Sequence, residues 1–242
     1  MTTQLESTAQ TLREQLLEGR FGENGKLREQ SLAEEIGVSR TVIRLALGEL
    51  EKEGLVTREP NKGYRVRSFT LEEVTDAILV RGELEGMAAR LCAEHGLDVA
   101  QKSGLEAILA ELDALLDAGI RAQNDRLQWI DLNSKFHNTL IALSGNSSLA
   151  VTIASLSQMP LVSARAIVFD TQGDQADQTR LEAAQSDHYD VLAAIAARQG
   201  GRAEFIMREH ARKSAENKLI RFDAMRTGDH GPGLVGLALV SG

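Results

Sequence analysis

Little of what builds disulfide-stapled, cysteine-metal or membrane-spanning proteins is present in these 242 residues, which hold one cysteine, three prolines and 4% aromatics. A single thiol, Cys92, excludes an intrachain disulfide framework and a cysteine-rich zinc site. No apolar run approaches the roughly 18 residues that a bilayer crossing needs. Met1 to Arg20 alternates polar and apolar residues without the apolar core of a signal peptide. A cytoplasmic protein with no membrane partner is the expectation. Hydrophobic residues at 43% and charged residues at 26% are ordinary globular proportions, which exclude a disordered chain or a fibre. The scarcity of proline and aromatics favours helix, and no internal repeat or low-complexity tract interrupts the chain.

Positive charge is also in deficit, with a net charge of -8. That average hides an asymmetry. Met1 to Ser68 carries 11 Lys or Arg and 11 Asp or Glu, so the whole of the -8 lies downstream. Within the first segment the cations gather at Arg40, Arg44, Lys52, Arg58, Lys62, Arg65 and Arg67, where a local patch can face phosphates. Two domains of different chemistry are expected, over residues 1–68 and 69–226, followed by a flexible tail over 227–242. The tail holds four glycines in its last twelve residues and little that could pack.

In the first domain Leu5, Leu12, Leu16 and Leu17 recur at helical spacing until Gly19 and the turn-forming Gly22 to Gly25. Ser31 to Leu50 then carries two apolar stripes interrupted by Gly37, which predicts two short helices joined by a tight turn. Ala33 is small enough for a close crossing, Gly37 can take the left-handed conformation, and Ser39 can cap the second helix. Val38, Ile43, Ala46, Leu47 and Leu50 face the core in this reading. Arg40, Thr41 and Arg44 are left on the outer side, where a recognition helix meets base edges and phosphates. Leu55 to Val66 reads as a hairpin about Pro60-Asn61-Lys62-Gly63, a wing whose Gly63 allows close backbone approach and whose Lys62 and Arg65 bring charge.

Leu32 to Thr41, Ile43 to Leu47, Leu50 to Val56 and Asn61 to Gly63 together resemble the winged-helix domain of the GntR family of bacterial transcription regulators, over roughly Leu5 to Val66. The resemblance implies that Arg28, Arg40 and Arg44 contact phosphates or bases of double-stranded operator DNA, with Thr41, Lys62 and Gly63 assisting. Val42 stands where the family usually has proline and Leu45 where it often has glutamate; neither departure removes a cation.

From Thr70 on, the expected helices run over 71–94, 99–122, 125–143, 148–158, 161–169, 176–198 and 202–225, with breaks at Gly96, Gly145-Asn146, Pro160, Gly173 and Gly200-Gly201. The fold class is therefore mainly α, a winged helix-turn-helix followed by an all-α bundle. Of the five histidines, His137, His188 and His210 fall inside predicted helices, while His95 sits at a helix end and His230 in the tail. Asn133 and His137 are four residues apart, so both can aim at one point in a bundle core. Three imidazoles with one oxygen donor suit a divalent metal such as Zn, Ni or Mn, and such sites are built from facing helices. Asp131 lies on a different face.

Arg81 to Leu91, Asn133 to His137, Asp187-His188 with Leu192 to Ile195, and Met207 to His210 resemble the FCD effector domain of the FadR subfamily, over nearly all of Leu71 to Leu219. Carried over residue by residue, the resemblance makes Asn133, His137, His188 and His210 the metal ligands. Asn133 departs from the commoner aspartate, and its neutral amide oxygen binds a cation less strongly. A small carboxylate effector is implied, with Arg81 the best candidate to clamp it through its guanidinium fork and Arg165 a second. For Arg81 an intrahelical pair with Glu85 competes, and Trp129 either lines the pocket or belongs to the core. The expected protein is a homodimeric, ligand-responsive transcription regulator, a repressor, and not an enzyme. Two alternatives remain at this point: an all-α metalloenzyme with a DNA-binding appendage, and a regulator whose helical domain only dimerises.

Overall fold

The structure, a computed structural model, describes residues 3–17, 19–22, 24–60, 63–157, 159, 162, 175–226 and 240–241. The chain divides into two compact units, one built on Met1–Val74 together with the carboxy-terminal strand, the other on Thr75–Leu156 and the two last helices, so the division falls inside one helix.

The first unit contains α1 (Gln4–Leu17), β1 (Lys26–Leu27), α2 (Glu29–Ile36), α3 (Arg40–Lys52), β2 (Val56–Glu59), β3 (Gly63–Val66) and β4 (Phe69–Thr70). Leu12 and Leu16 of α1, Leu32 and Ala33 of α2, and Ile43, Ala46, Leu47 and Leu50 of α3 are buried together with Val56, Tyr64 and Val66 of the sheet. The turn between α2 and α3 has a local cause. Gly37 adopts φ +75°, its N–H donating to the Ala33 carbonyl, a conformation that a side chain rarely takes. The Ser39 hydroxyl then accepts from Val42 N–H at 3.3 Å and starts α3. Strands β2 and β3 form the expected hairpin, antiparallel with Thr57 opposite Arg65 and Arg58 opposite Tyr64. A third strand, β1, pairs with the other edge of β3, giving the order β1-β3-β2. Two residues of the glycine-rich tail, Val240–Ser241, form β5 and pair in parallel with β4; residues 227–239 and 242 lie outside the described residues.

The second unit is helical: α4 (Leu71–His95, whose first residues belong to the first unit), α5 (Val99–Ala118), α6 (Gln123–Leu143), α7 (Ser147–Leu156), α8 (Gln175–Ala196) and α9 (Gly200–Arg226). Asp98 and Gln101 form a reciprocal capping box at the start of α5, with bonds of 2.8 and 3.0 Å. The helix ends at Ala118, four residues before the expected 122, because Gly119, φ +79°, turns the chain as its N–H donates to the Leu116 carbonyl. Gly200 and Gly201 open α9 instead of breaking the chain ahead of it. The expected helix over 161–169 lies outside the described residues except for Val162.

One apolar core joins Cys92 and Ala93 of α4, Leu105, Leu109 and Leu112 of α5, Trp129, Phe136 and Leu140 of α6, Val191 and Ile195 of α8 and Met207 of α9. Trp129 is thus a core residue, 1% exposed. Burial pushes the Cys92 thiol up to about 11, so it is an inert core group. Helices α4 and α9 approach closely where α4 has glycine. A Cβ at Gly82 would stand 2.4 Å from the Ala211 Cβ, and one at Gly86 2.8 Å from the Arg208 Cγ. Gly82→Val should therefore destabilise by about 1–3 kcal/mol through overpacking, read as a drop of several degrees in melting temperature. An unchanged melting curve would show that the two helices separate freely.

Candidate functional site

The first candidate surface is the outer side of α3. Arg40, Thr41 and Arg44 are exposed there, and Arg28 is exposed at the residue before α2. Glu29, the first residue of α2, gathers the α3 arginines. Its two carboxylate oxygens accept from Arg44 Nε at 3.0 Å and from Arg44 Nη2 at 2.8 Å, while Arg40 Nη2 stands 3.7 Å away. The Arg44 hydrogen bond holds the Glu29 carboxyl below its ordinary range, and this two-pronged pairing fixes where the guanidinium points. Gly63 begins β3 at φ +89°, a conformation suited to glycine. Lys62 lies outside the described residues.

The second candidate is a buried histidine cluster in the helical unit. His137 of α6, His188 of α8 and His210 of α9 offer ring nitrogens that all lie within 4.8 Å of one another. Their ring centroids are 5.3 Å apart for His137–His188 and His137–His210, and 4.8 Å for His188–His210. Asn133 is buried one turn before His137 on the same helix. Burial, together with the mutual repulsion of the neighbouring rings, pushes His188 well below the ordinary imidazole range. Burial also lowers His137, against the pull of Glu85. Both rings are thus kept neutral, which is the form that binds metal.

Each ring has its Nδ1 beside a side-chain oxygen. His137 Nδ1 lies 3.1 Å from Glu85 Oε2, His188 Nδ1 lies 3.3 Å from Gln185 Oε1, and His210 Nδ1 lies 3.4 Å from Asp187 Oδ2. Such outer partners set the orientation of a metal-binding imidazole. His188 Nε2 is buried with no hydrogen-bond partner among the described residues, and His137 Nδ1, although within ion-pair distance of Glu85, makes no hydrogen bond there either. Unsatisfied buried nitrogens within a cluster of imidazoles are costly unless something binds them, so the residues present fit a divalent ion, and the three histidines could hold one.

Beside the cluster lies a buried charged group. Arg81 of α4 pairs with Glu85 through Nη2 and donates from Nη1 to the Val162 carbonyl at 2.6 Å, while its Nε has no hydrogen-bond partner among the described residues. The pairing with Glu85 anticipated from their spacing is thus present. Burial alone would raise the Glu85 carboxyl, but His137 and Arg81 hold it well below the usual carboxylate range. Lys218 of α9 is buried as well, and burial with the nearby charge of Arg81 pushes its amine down to about 7. Arg165 lies outside the described residues.

Sequence reasoning placed the three histidines together but missed four residues around them: Glu85 as an imidazole partner, Gln185, Asp187 and Lys218. Two left a signal. Gln185 stands three residues before His188 on one helical face, and a lysine at helical spacing within a long amphipathic helix is buried only if it faces the core. Glu85 and Asp187 act across helices, and local spacing carries no sign of that. Glu29 was missed at the other surface for the same reason.

A winged helix-turn-helix with cations along its recognition helix, joined to a separate helical unit, defines a DNA-binding transcription regulator. Residues 76–213 match the FCD domain and residues 4–66 match the bacterial regulatory proteins of the gntR family. The chain belongs to the gntR family of bacterial regulatory proteins and carries the FCD domain. It is 28% identical to the HTH-type transcriptional repressor GlaR of Escherichia coli (strain K12) over 199 residues, 82% of this chain and 88% of that one. It is 31% identical over 138 residues to YdhC of Bacillus subtilis (strain 168), an uncharacterized HTH-type transcriptional regulator, covering 57% of this chain and 59% of the relative. The Nta operon transcriptional regulator of Aminobacter aminovorans is 30% identical over 138 residues, covering 57% and 62% respectively. The match to these last two spans about three fifths of their length. Among solved structures, E. coli McbR/YncC superposes with a TM-score of 0.63 at 21% identity, covering 93% of this chain and 100% of that one, which establishes the shared fold. Families and relatives are transcription regulators and not enzymes, so the metalloenzyme alternative is set aside. No helix among the described residues is long and apolar enough to cross a membrane.

Proposed function

We propose that the chain is a homodimeric cytoplasmic repressor whose helical unit binds a divalent metal and a small carboxylate effector. The observation that carries this reading is the histidine cluster, three imidazoles whose ring nitrogens converge and of which His188 Nε2 has no hydrogen-bond partner among the described residues, with the buried Arg81 and Lys218 near Glu85 beside it. His137, His188 and His210 would hold the ion, and Asn133, one turn before His137, would supply an oxygen donor. When bound, the metal supplies a positive charge with open positions for an anionic ligand. The domains act as 1–68 for DNA and 69–226 for effector and dimerisation.

Arg81 clamps the effector's carboxylate. Its Nε has no hydrogen-bond partner among the described residues, and its Nη1 donates to a backbone carbonyl that an anion can replace. Arg165 is the second candidate for this role. Repression agrees with the name of GlaR, the relative matched over most of both chains. Two winged helices of a two-fold dimer would read the half-sites of a pseudo-palindromic operator through Arg28, Arg40, Thr41, Arg44, Lys62 and Gly63. The effector changes repression only to the extent that it binds the DNA-competent and DNA-incompetent states unequally.

Elemental analysis of the purified protein, followed by a thermal-shift screen of short carboxylic acids, tests this function. One divalent ion per chain and stabilisation by a subset of acids are expected, with the stabilisation reduced in Arg81→Leu. A metal-free protein that no carboxylate stabilises would leave the helical unit as a dimerisation module.

A further inference from the structure

The recognition helix exposes a leucine that the chain itself gives no reason to expose. At 100° per residue, Ile43, Ala46, Leu47 and Leu50 of α3 converge on one side, and all four are fully buried. Thr41, Leu45 and Gly48 lie on the side directly opposite, at i, i+4 and i+7. Arg40 and Arg44 stand on one flank of that stripe, held there by Glu29. Leu45 is 53% exposed and is the one large exposed hydrophobic residue among the described residues of the first unit. Over its first two turns the stripe aimed away from the core is therefore uncharged and partly apolar, with the arginines to its side, and it meets charge only at Lys52, the last residue of the helix, which pairs with Glu49.

Gly48 adds a second observation. Glycine inside a helix weakens it, and such glycines are usually explained by a neighbour that leaves no room. Here a Cβ would meet nothing within 4 Å. The bare backbone one turn beyond Leu45 thus has no packing reason inside the chain, and it leaves the leucine standing proud of the helix.

We propose that Leu45 is a specificity-determining residue which packs against the 5-methyl group of a thymine in the major groove. Among the groups that base pairs display in that groove, hydrogen-bond donors and acceptors dominate, and the thymine methyl is the apolar one. An apolar side chain that removes water from donors and acceptors without replacing their bonds loses affinity, so a leucine in this place selects the pair that offers a methyl group. The arginines at its flank supply the phosphate or guanine contacts that set the register, and Gly48 lets the second half of the helix come close enough for the leucine to reach the base. Each half-site then carries a T·A pair under the second turn of α3. The assignment rests on the DNA-reading role of the first unit and adds to it a base preference.

The test uses the full-length protein and a duplex enriched by it from a random-sequence library. Each thymine of the enriched site is replaced in turn by deoxyuridine, which removes the methyl group and leaves base pairing intact. Binding is measured for the unsubstituted protein and for Leu45→Ala, whose fold is checked by its melting curve. One thymine per half-site should emerge whose replacement weakens binding about 3- to 5-fold, the effect of one buried methyl group. The same replacement should leave Leu45→Ala nearly unaffected. A site in which no thymine is sensitive, or in which the sensitive thymine is equally so for Leu45→Ala, overturns the assignment; the first of these outcomes decides even if the variant fails to fold. Failure to enrich any duplex would overturn the DNA-reading role itself, and the leucine's part with it.

Discussion

His188→Ala should abolish stoichiometric metal binding and with it the response to carboxylates. His188 is fully buried, its Nδ1 engaged by Gln185 and its Nε2 facing the other two rings without a hydrogen-bond partner among the described residues. Loss of an outer partner of a metal ligand typically lowers affinity about 10- to 100-fold, so loss of a ligand itself should lower it on the order of 100-fold or more. The thermal consequence is separable from the cavity that the substitution leaves beside Phe136, whose ring lies 4.5 Å from His188. An ion held at about a thousand times its dissociation constant stabilises the fold by about 4 kcal/mol. For a chain of this size each kcal/mol moves the melting temperature by about 2–4 °C. A chelator should therefore lower the melting temperature of the unsubstituted protein by roughly 8–16 °C by the same reckoning. It should leave His188→Ala nearly unmoved, whatever the variant's starting point. Asp187→Asn, which weakens the contact to His210 Nδ1 together with the surface pair to Lys213 and leaves every ligand in place, belongs between the two. Full metal content in His188→Ala would remove this residue from the ligand set.

The sequence discloses the winged helix-turn-helix almost completely because its determinants are local. Gly37 needs a left-handed turn, Ser39 caps α3, and the apolar spacing of that helix states which side is buried. Strand β1 escapes because two residues, Lys26 and Leu27, show no alternation, and they become a strand only through pairing with β3. Gly200 and Gly201 mislead for a different reason. Glycine is poor inside a helix but acceptable at its first positions, and a Cβ at Gly200 would press on Arg90 at 3.1 Å. The histidines were legible as candidate ligands since Asn133 and His137 share a face, and two further helices each carry one imidazole. Their electrostatic setting was not legible. The contact of Glu85 with His137 links α4 to α6, and that of Asp187 with His210 links α8 to α9, registers that only the packed helices fix. Arg81 shows the limit most clearly: the same spacing that predicts its pairing with Glu85 says nothing of the partnerless Nε or of Lys218.

Arg44→Ala should weaken operator binding about 10- to 100-fold per winged helix at fixed salt, the range for loss of a base-directed arginine. The melting temperature should stay where it is, because the side chain is exposed and its pairing with Glu29 is a surface contact. Loss at both heads of a dimer compounds, so binding to a two-half-site duplex should fall more steeply than to a single half-site. Salt dependence identifies what Arg44 touches. If it contacts a phosphate, the variant's affinity falls uniformly across sequences, and the slope of log affinity against log salt shrinks by about one per contact. If it forks onto a guanine, the slope is retained and discrimination at one position is lost. Glu29 supplies the control. It holds Arg44 by both oxygens and stands near Arg40, so Glu29→Ala leaves the cations in place but frees their geometry. If orientation matters, that variant binds random duplex as well as the unsubstituted protein does and loses preference for its operator. Equal operator affinity in Arg44→Ala and the unsubstituted protein would take Arg44 out of the interface, and the exposed guanidinium would then be no more than the surface partner of Glu29.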